Sequence, residues 1–313
     1  MVEYSVVVPI YNEEGNILKL HSEIAVAMDK ISKDYEVIYV NDNSNDNSMS
    51  ELKSLNNVKI IELNKNYGQA TALDAGFRAA KGEIIISMDG DGQNDPKDIP
   101  RLLKKMKDDN LDVVAGWRKS RADKGGIKVL TRIGRLLRRL MIKDSVHDTG
   151  CTLRVYKKRA IESLEIQGEM HRYILALLKW KGFRIGELIV NDRAREYGVS
   201  KYGYTKAFRG FLDLMYMWFM QKYSQRPLHI YGYASMISVF TGIIITVWAI
   251  YLRIFGSVDL TDSAWLILGM FFLGGGMLLF TFGMMFDLMI RTYLNSSPIQ
   301  RNYYIREIVE TKW

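Results

Sequence analysis

The stretch Glu83–Pro96, "EIIISMDGDGQNDP", decides how the rest of the chain is read. Consecutive isoleucines mark a strand buried on both faces, and the aspartates that follow, set among glycines, do not prolong it. Asp89 and Asp91 therefore belong to a loop where the strand frays at a sheet edge, the place where open α/β sheets hold ligands. Upstream the same alternation repeats. "YSVVVPIY" reads as a strand, and the helix expected from about Glu14 puts Ile17, Leu20, Ile24, Met28 and Ile31 on one face. "YEVIYVND" is the next strand. Ser48 and Glu51 stand in capping-box spacing for a short helix, "VKIIELN" is a strand, and "QATALDAGFRAAKG" is a helix closed by Gly82. Downstream, Asp95 and Pro96 cap and start a helix with Ile99, Leu102, Leu103 and Met106 inward, and "DVVAGW" is one more strand. Strands alternating with helices predict an α/β domain with a mostly parallel sheet covered on both faces.

The composition of the 313 residues divides in two. Up to about Arg226 short apolar runs alternate with charged ones. Beyond it, two stretches of roughly 20 or more nearly uncharged residues, about 231–254 and 264–290, are long enough to cross a bilayer, separated by the polar turn "SVDLTDS". Lys206, Arg209, Lys222 and Arg226 precede the first span and Arg291, Arg301 and Arg306 follow the second, while the turn carries Asp259 and Asp262. The positive-inside rule then puts both chain ends in the cytoplasm, and the opening residues show no secretory leader. A net charge of +8 suits nucleic acid or an anionic membrane surface, and the spans favour the membrane, so no nucleic-acid partner is expected. The basic, leucine-spaced segment 119–143 and the aromatic segment 204–222 read as helices lying at the bilayer surface. Cys151 is the only cysteine, which excludes an intramolecular disulfide and a multi-cysteine metal site.

Two carboxylates in a D-x-D turn suit one hard divalent cation, bound through oxygen beside a diphosphate. A plain polar turn, in which they bond only to backbone amides, is the alternative. An EF-hand loop fails, because Asn94 and Pro100 stand where glycine and glutamate are needed. The P-loop and the dinucleotide fingerprint are both missing. Nucleotide binding then falls to the strand ends themselves, where "VPIYNEE", "VNDNSND" and "MDGDGQ" converge on one edge. Glu13, Asp42 and Asp46 also fit as cap or turn residues.

In this order, "VVVPIYNEEGN", "VNDNSND", "NYGQATALDAGFRAAKG", "MDGDGQNDP", "GWR" and "YGVSKYG" resemble the family 2 glycosyltransferases of GT-A fold. Within them the chain is most similar to the polyprenyl phosphate sugar synthases, of the dolichyl phosphate mannose synthase and bactoprenol glucosyltransferase kind. The likeness covers about the first 200 residues. It implies a Rossmann-like GT-A domain at 1–203, and the residues beyond read as an amphipathic juxtamembrane region at 204–229, a two-helix transmembrane hairpin within 230–292 and a cytoplasmic tail at 293–313. It implies an inverting transferase that moves one sugar from a GDP- or UDP-linked donor, of the GDP-mannose or UDP-glucose type, to a polyprenyl phosphate, with Mg²⁺ or Mn²⁺.

By the same resemblance, Pro9, Tyr11, Glu13 and Asp42 match positions that cradle the base and ribose. Asp89 and Asp91 match the D-x-D pair, with Asp91 and Gln93 as ligands of the cation. Arg118, Arg132, Arg195 and Lys201, with Ser200 beside the last, match the groups that hold the sugar diphosphate and the lipid phosphate, and headgroup attraction is the other reading of Arg132. Asp148 falls where relatives carry a base or an acceptor-positioning residue. One departure is visible: Asn41 and Asn43 replace the first Asp and the Gly of the usual Asp-Asp-Gly-Ser. A processive polysaccharide synthase is a rival, weakened by the missing Q-x-x-R-W, and a non-catalytic membrane scaffold is another. "GGG" at Gly274 to Gly276 permits close helix packing within the hairpin or between protomers of a homo-oligomer.

Overall fold

The computed structural model describes residues 2–119, 146–164, 166, 170–193, 215, 218–219, 227–255, 264–295 and 305–311. Arg132, Arg195, Ser200 and Lys201, and the two surface helices expected at 119–143 and 204–222, lie outside or almost wholly outside these residues. The chain forms two compact units, one of residues 1–213 and 301–313, the other of 214–300.

In the first unit, β1 (Tyr4–Ile10), β2 (Tyr35–Asn41), β3 (Val58–Leu63) and β4 (Ile84–Ser87) alternate with α1 (Ile17–Met28), α2 (Ser48–Ser54) and α3 (Gln69–Ala79). After β4 come α4 (Ile99–Asp108), β5 (Val113–Trp117), β6 (Arg154–Lys157), α5 (Lys158–Glu162), α6 (Ile174–Trp180) and β7 (Ile185–Ile189). They form one sheet in the order β7-β5-β6-β4-β1-β2-β3-β8, the last strand being Ile305–Glu310. β6 and β8 run against their neighbours and the other strands share one direction, so the expected parallel sheet is present with two reversed strands. Val7, Val40, Ile61, Ile85 and Tyr156 pack on one face with α3, α5 and α6. Val6, Val8, Tyr39, Ile60, Ile86 and Val155 pack on the other with α1 and α4. Successive strand residues feed opposite cores, which is why β1 reads as an unbroken apolar run.

Several local readings change. Residues 305–310, expected as part of a tail, form β8, paired antiparallel with β3 and pinned by Arg306 to Glu62 at 3.1 Å. Helix α1 starts at Ile17 rather than Glu14. Ser48 and Glu51 do not cap α2: Ser48 Oγ accepts from the Glu13 N–H and Glu51 Oε1 from the Gly15 N–H. Gly82 does not close α3, which ends at Ala79; a Cβ there would lie 2.7 Å from the Ser5 nitrogen, so glycine permits close approach to β1. Asp95 does cap as expected, accepting from the Lys97 N–H across Pro96.

The second unit holds α7 (Pro227–Phe255) and α8 (Ala264–Asn295). Each contains a window of mean hydropathy 2.0, of which 17% is buried. Side chains such as Phe240, Trp248, Phe271 and Leu288 point outward, the pattern of helices long and apolar enough to cross a bilayer. Their seam is made of small residues. A Cβ on Gly276 would meet Val239 Cγ2 at 2.6 Å, one on Gly269 would meet Thr246 Oγ1 at 2.4 Å, and Ser235 Oγ donates to the Gly276 carbonyl. Of the three consecutive glycines, Gly276 thus serves packing within the hairpin.

Candidate active site

Because β6 is reversed, its first residues meet the C-terminal ends of β1, β2, β4, β5 and β7 at one sheet edge. The loops after β1 and β2 are laced together. Asn12 N–H donates to Ser44 Oγ, Asn45 N–H donates to Asn12 Oδ1, and Asn47 Nδ2 donates to Glu14 Oε1. Asn43 has φ 57, the left-handed conformation for which asparagine is among the tolerated residues, and Asn41 Oδ1 accepts from the Ser44 N–H and Oγ–H. The departure from Asp-Asp-Gly-Ser therefore preserves the turn.

Asp42 is buried with both oxygens engaged, Oδ1 by the Tyr67 N–H at 2.7 Å and Oδ2 by the Gly68 N–H at 2.8 Å. Burial raises its pKa against the opposing pull of those N–H groups. It organises the approach to α3, and that loop is what the carboxylate grips. Glu13 Oε2 accepts from Asn16 Nδ2 at 2.9 Å. Pro9, Tyr11 and Glu13 are partly buried at the end of β1. Gly90 presses against this end: a Cβ there would meet Ile10 Cδ1 at 2.4 Å and the Pro9 carbonyl at 3.1 Å, so only glycine brings the D-x-D turn so close.

Within that turn Asp89 Oδ1 accepts from Gln69 Nε2 at 2.6 Å, and the Asp89 N–H donates to Asn94 Oδ1. Burial and then the charge of Asp91 push the Asp89 carboxyl up to about 6, against the Thr152 hydroxyl and the charges of Arg118 and Arg154. Asp91 is 6% exposed and Oδ1 accepts from the Gln93 N–H. Among the described residues no group of three or more His, Cys, Asp or Glu forms a complete cation cage. Two crowded carboxylates, one reluctant to ionise, nevertheless fit a hard divalent ion that takes its other oxygens from a diphosphate and water. The Gln93 side chain lies beside the turn, its amide nitrogen donating to the Arg193 carbonyl at 3.5 Å.

Beside the turn, Arg118 Nε and Nη2 donate to Asp148 at 2.8 and 3.3 Å, a fork-on-carboxylate pair whose side chains are 9% and 11% exposed. Burial alone would raise Asp148, but the bonds and charge of Arg118 outweigh it and hold the carboxyl below its usual range. Of the two roles implied for Asp148, this geometry favours positioning over proton removal. Glu187 on β7 accepts from the backbone N–H of His147 and meets its ring at 2.7 Å, and that ring stacks on Trp117.

Gln69, Asn94, Thr152, Arg154 and Arg193 join the site without having been singled out. Arg154 donates to the carbonyls of Cys151, Thr149 and His171. Gln69 and Asn94 carried a signal, sitting inside the quoted "NYGQATALDAGFRAAKG" and "MDGDGQNDP" stretches. The others take their place from pairing between distant segments.

The family described as Glycosyl transferase family 2 matches residues 5–165. Among characterised proteins the chain is similar to dodecaprenyl-phosphate galacturonate synthase of Rhizobium johnstonii, 34% identical over 99% of this chain and 94% of that one. It is also similar to undecaprenyl-phosphate 4-deoxy-4-formamido-L-arabinose transferase of Proteus mirabilis, 30% identical over 98% of this chain and 94% of that one. Among solved structures it is similar to glucosyl-3-phosphoglycerate synthase of Mycobacterium tuberculosis in complex with Mn²⁺, uridine diphosphate and glucosyl-3-phosphoglycerate. The TM-score is 0.56 at 16% identity, covering 70% of this chain and 79% of that one, a likeness of fold.

Proposed function

Because the chain belongs to glycosyl transferase family 2 and is a sugar transferase acting on polyprenyl phosphate, we propose that it moves one sugar from a uridine diphosphate donor to an undecaprenyl-type phosphate with inversion. The observation that carries this reading is the Asp89–Asp91 turn, pressed by Gly90 against the end of β1 at the edge where β2 and β5 also end. Uridine diphosphate in the solved structure of like fold favours UDP over GDP. The relatives' names favour a uronic acid or a formamido-pentose over the mannose or glucose that the sequence suggests.

In this mechanism a phosphate oxygen of the acceptor attacks the anomeric carbon as the bond from that carbon to the diphosphate oxygen breaks on the opposite face. A phosphomonoester with a second pKa of about 6 is already mostly dianionic at neutral pH, so the acceptor needs little help from a base. Asp89 and Asp91 would hold the cation. Bound there, Mg²⁺ or Mn²⁺ supplies charge neutralisation for the departing nucleotide. Gln69 orients Asp89, and Asp148 orients Arg118 toward the edge where phosphate charge collects. Pro9, Tyr11, Glu13 and Asp42 line or brace the nucleoside side, and Gln93 flanks the cation. Arg132, Arg195, Ser200 and Lys201 are proposed for the acceptor and diphosphate from the sequence resemblance.

We place α7 and α8 across the membrane and the sheet in the cytoplasm. With β8 in the same sheet as β1, the chain must return to the side it left, which two crossings satisfy. The flanking Lys and Arg favour the cytoplasmic side.

The test uses purified full-length protein, a panel of labelled UDP- and GDP-sugars, a short polyprenyl phosphate and Mn²⁺ or Mg²⁺, followed by solvent extraction. Label is expected in the lipid phase with one UDP-sugar, and loss of roughly 100-fold or more is expected with EDTA or Asp91→Ala. Folded protein that transfers from no donor, or Asp91→Ala at full rate in EDTA, defeats the proposal. Water-soluble polymer would point instead to a processive synthase.

A further inference from the structure

Between the Asp89–Asp91 turn and α1 lies a shallow cleft lined by Asn16, Lys19, Leu20, Glu23, Gly92 and Arg193 together with Asp91 itself. One guanidinium bridges this cleft. Arg193 Nη1 lies 2.6 Å from Glu23 Oε2 on α1, and Nη2 lies 2.6 Å from Asp95 Oδ1 at the end of the turn. Asp95 also caps the following 3-10 helix through the Lys97 N–H, so the carboxylate is held from two directions.

The backbone around Arg193 is zipped to the same turn. Its N–H donates to the Gln93 carbonyl at 3.0 Å, Asn94 and Asp192 form an antiparallel bridge, and the Asn191 N–H donates to Asp98 Oδ2 at 2.7 Å. Residues 191–193 therefore run as a short strap along residues 93–98. Asp89 is also held by Gln69, Asn94 and the Thr152 hydroxyl, and Asp91 accepts from the Gln93 N–H. A loop bounded by a cleft needs an external strut to keep two like-charged carboxylates at a fixed separation, because their repulsion favours opening the turn.

We infer that Arg193, clamped between Glu23 and Asp95, is a positioning residue that sets the Asp89–Asp91 turn for its divalent cation. This rests on the reading of that turn as the cation site. Arg193 does not touch the reacting atoms. Its effect is expected on cation affinity far more than on the rate once the cation is saturating.

The experiment titrates Mn²⁺ into full-length detergent-solubilised protein with UDP, reading bound ion by electron paramagnetic resonance. Wild type, Asp91→Ala, Arg193→Ala, Arg193→Lys and Glu23→Gln are compared, with melting temperature as a parallel measurement. Arg193→Ala is expected to weaken Mn²⁺ binding by about 10-fold or more, the usual effect of removing a residue that orients a ligand. Arg193→Lys should recover part of the loss, and Glu23→Gln should show an intermediate loss with a near-native melting temperature. At saturating Mn²⁺, kcat of Arg193→Ala should lie within about threefold of wild type, so the defect sits in cation half-saturation. Should Arg193→Ala not fold, the Lys and Gln variants decide the matter. Wild-type Mn²⁺ affinity in the folded Arg193 and Glu23 variants, with only a lowered melting temperature, overturns the positioning role while leaving the cation site intact. Wild-type protein that binds Mn²⁺·UDP no better than Asp91→Ala overturns both.

Discussion

The loops after β1 and β2 and the turn after β4 share a sheet edge and are held in opposite ways. In the first pair asparagines and serines bond to one another's backbone, as Asn12, Ser44 and Asn41 do, and Glu14, Asp46 and Glu51 accept from N–H groups of the same loops. In the turn, two carboxylates crowd one another, Asp89 is driven toward its protonated form, and bracing comes from Asn94 and the Gln93 N–H within it and from other segments. The former is a finished structure, the latter one whose local energetics a ligand improves. On the proposed function, that contrast sets scaffold against chemistry along the edge, since strain and unfavourable charge persist only where the surroundings over-determine them.

The contrast breaks most visibly if the Arg118–Asp148 pair is scaffold alone. Replacing Asp148 with Asn keeps the shape but leaves a guanidinium that is 9% exposed with Asp192, at 3.9 Å, as its remaining carboxylate partner among the described residues. Folding stability is expected to fall by roughly 3 kcal/mol, the usual cost of breaking a buried pair from one side. Activity should fall by roughly 100-fold with an unchanged pH–rate profile, because the carboxylate orients Arg118 and already lies below its usual pKa range. Loss of the acid limb of the profile would instead identify Asp148 as a base. Chemical denaturation, and rates followed from pH 9 down to the lowest pH at which the fold persists, check both outcomes.

That pair also shows where sequence stops being informative. The runs "VVVPI" and "EIIIS" declare strands because each residue is buried on one face or the other, and the alternation of core faces can be read residue by residue. Asp89 and Asp91 were legible because glycines and acids cannot continue such a run. Spacing misled at Ser48 and Glu51: the box has the correct interval, but the N–H groups it serves belong to the loop after β1. "REIVE" near the C-terminus carries no strong strand signal, since an exposed edge strand needs apolar contact on one side only, and its partner β3 lies about 250 residues away, as the 253-residue separation of the Val58–Thr311 bond illustrates. Arg193, likewise, takes meaning from Glu23, 170 positions distant.

A smaller effect sharpens the comparison through pH. The Asp89 carboxyl stands at about 6 against an ordinary 3.8, so the folded state binds the extra proton. Its contribution is present below pH 4 and is lost as pH rises through about 6; at neutral pH Asp89 reduces stability. Asp89→Asn should remove that slope and stabilise the cation-free protein at pH 7.5 by on the order of 1–2 kcal/mol, after allowance for solvent screening. The same variant should lose the Mn²⁺-induced rise in melting temperature that is expected of wild type at pH 7.5 and is expected to shrink at pH 5, where protons compete for the turn. Equal pH slopes for the two proteins would mean that Asp89 is as settled as its neighbours.

The smallest expected effect lies in the laced loops. Asn43 occupies φ 57, a conformation glycine adopts without penalty and asparagine at modest cost. Asn43→Gly gains steric ease in the folded state and raises the entropy of the unfolded chain, effects of opposite sign each worth a few tenths to about 1 kcal/mol. Their difference should leave stability within about 0.5 kcal/mol of wild type. Asn43→Val, forcing a β-branched residue into the same conformation, should cost roughly 1–2 kcal/mol. Donor preference across the UDP and GDP panel should be unchanged in the glycine variant, because the turn is fixed by the Asn41 carboxamide oxygen and Ser44, which remain. A switch of donor base on Asn43→Gly would move this loop from scaffold to specificity.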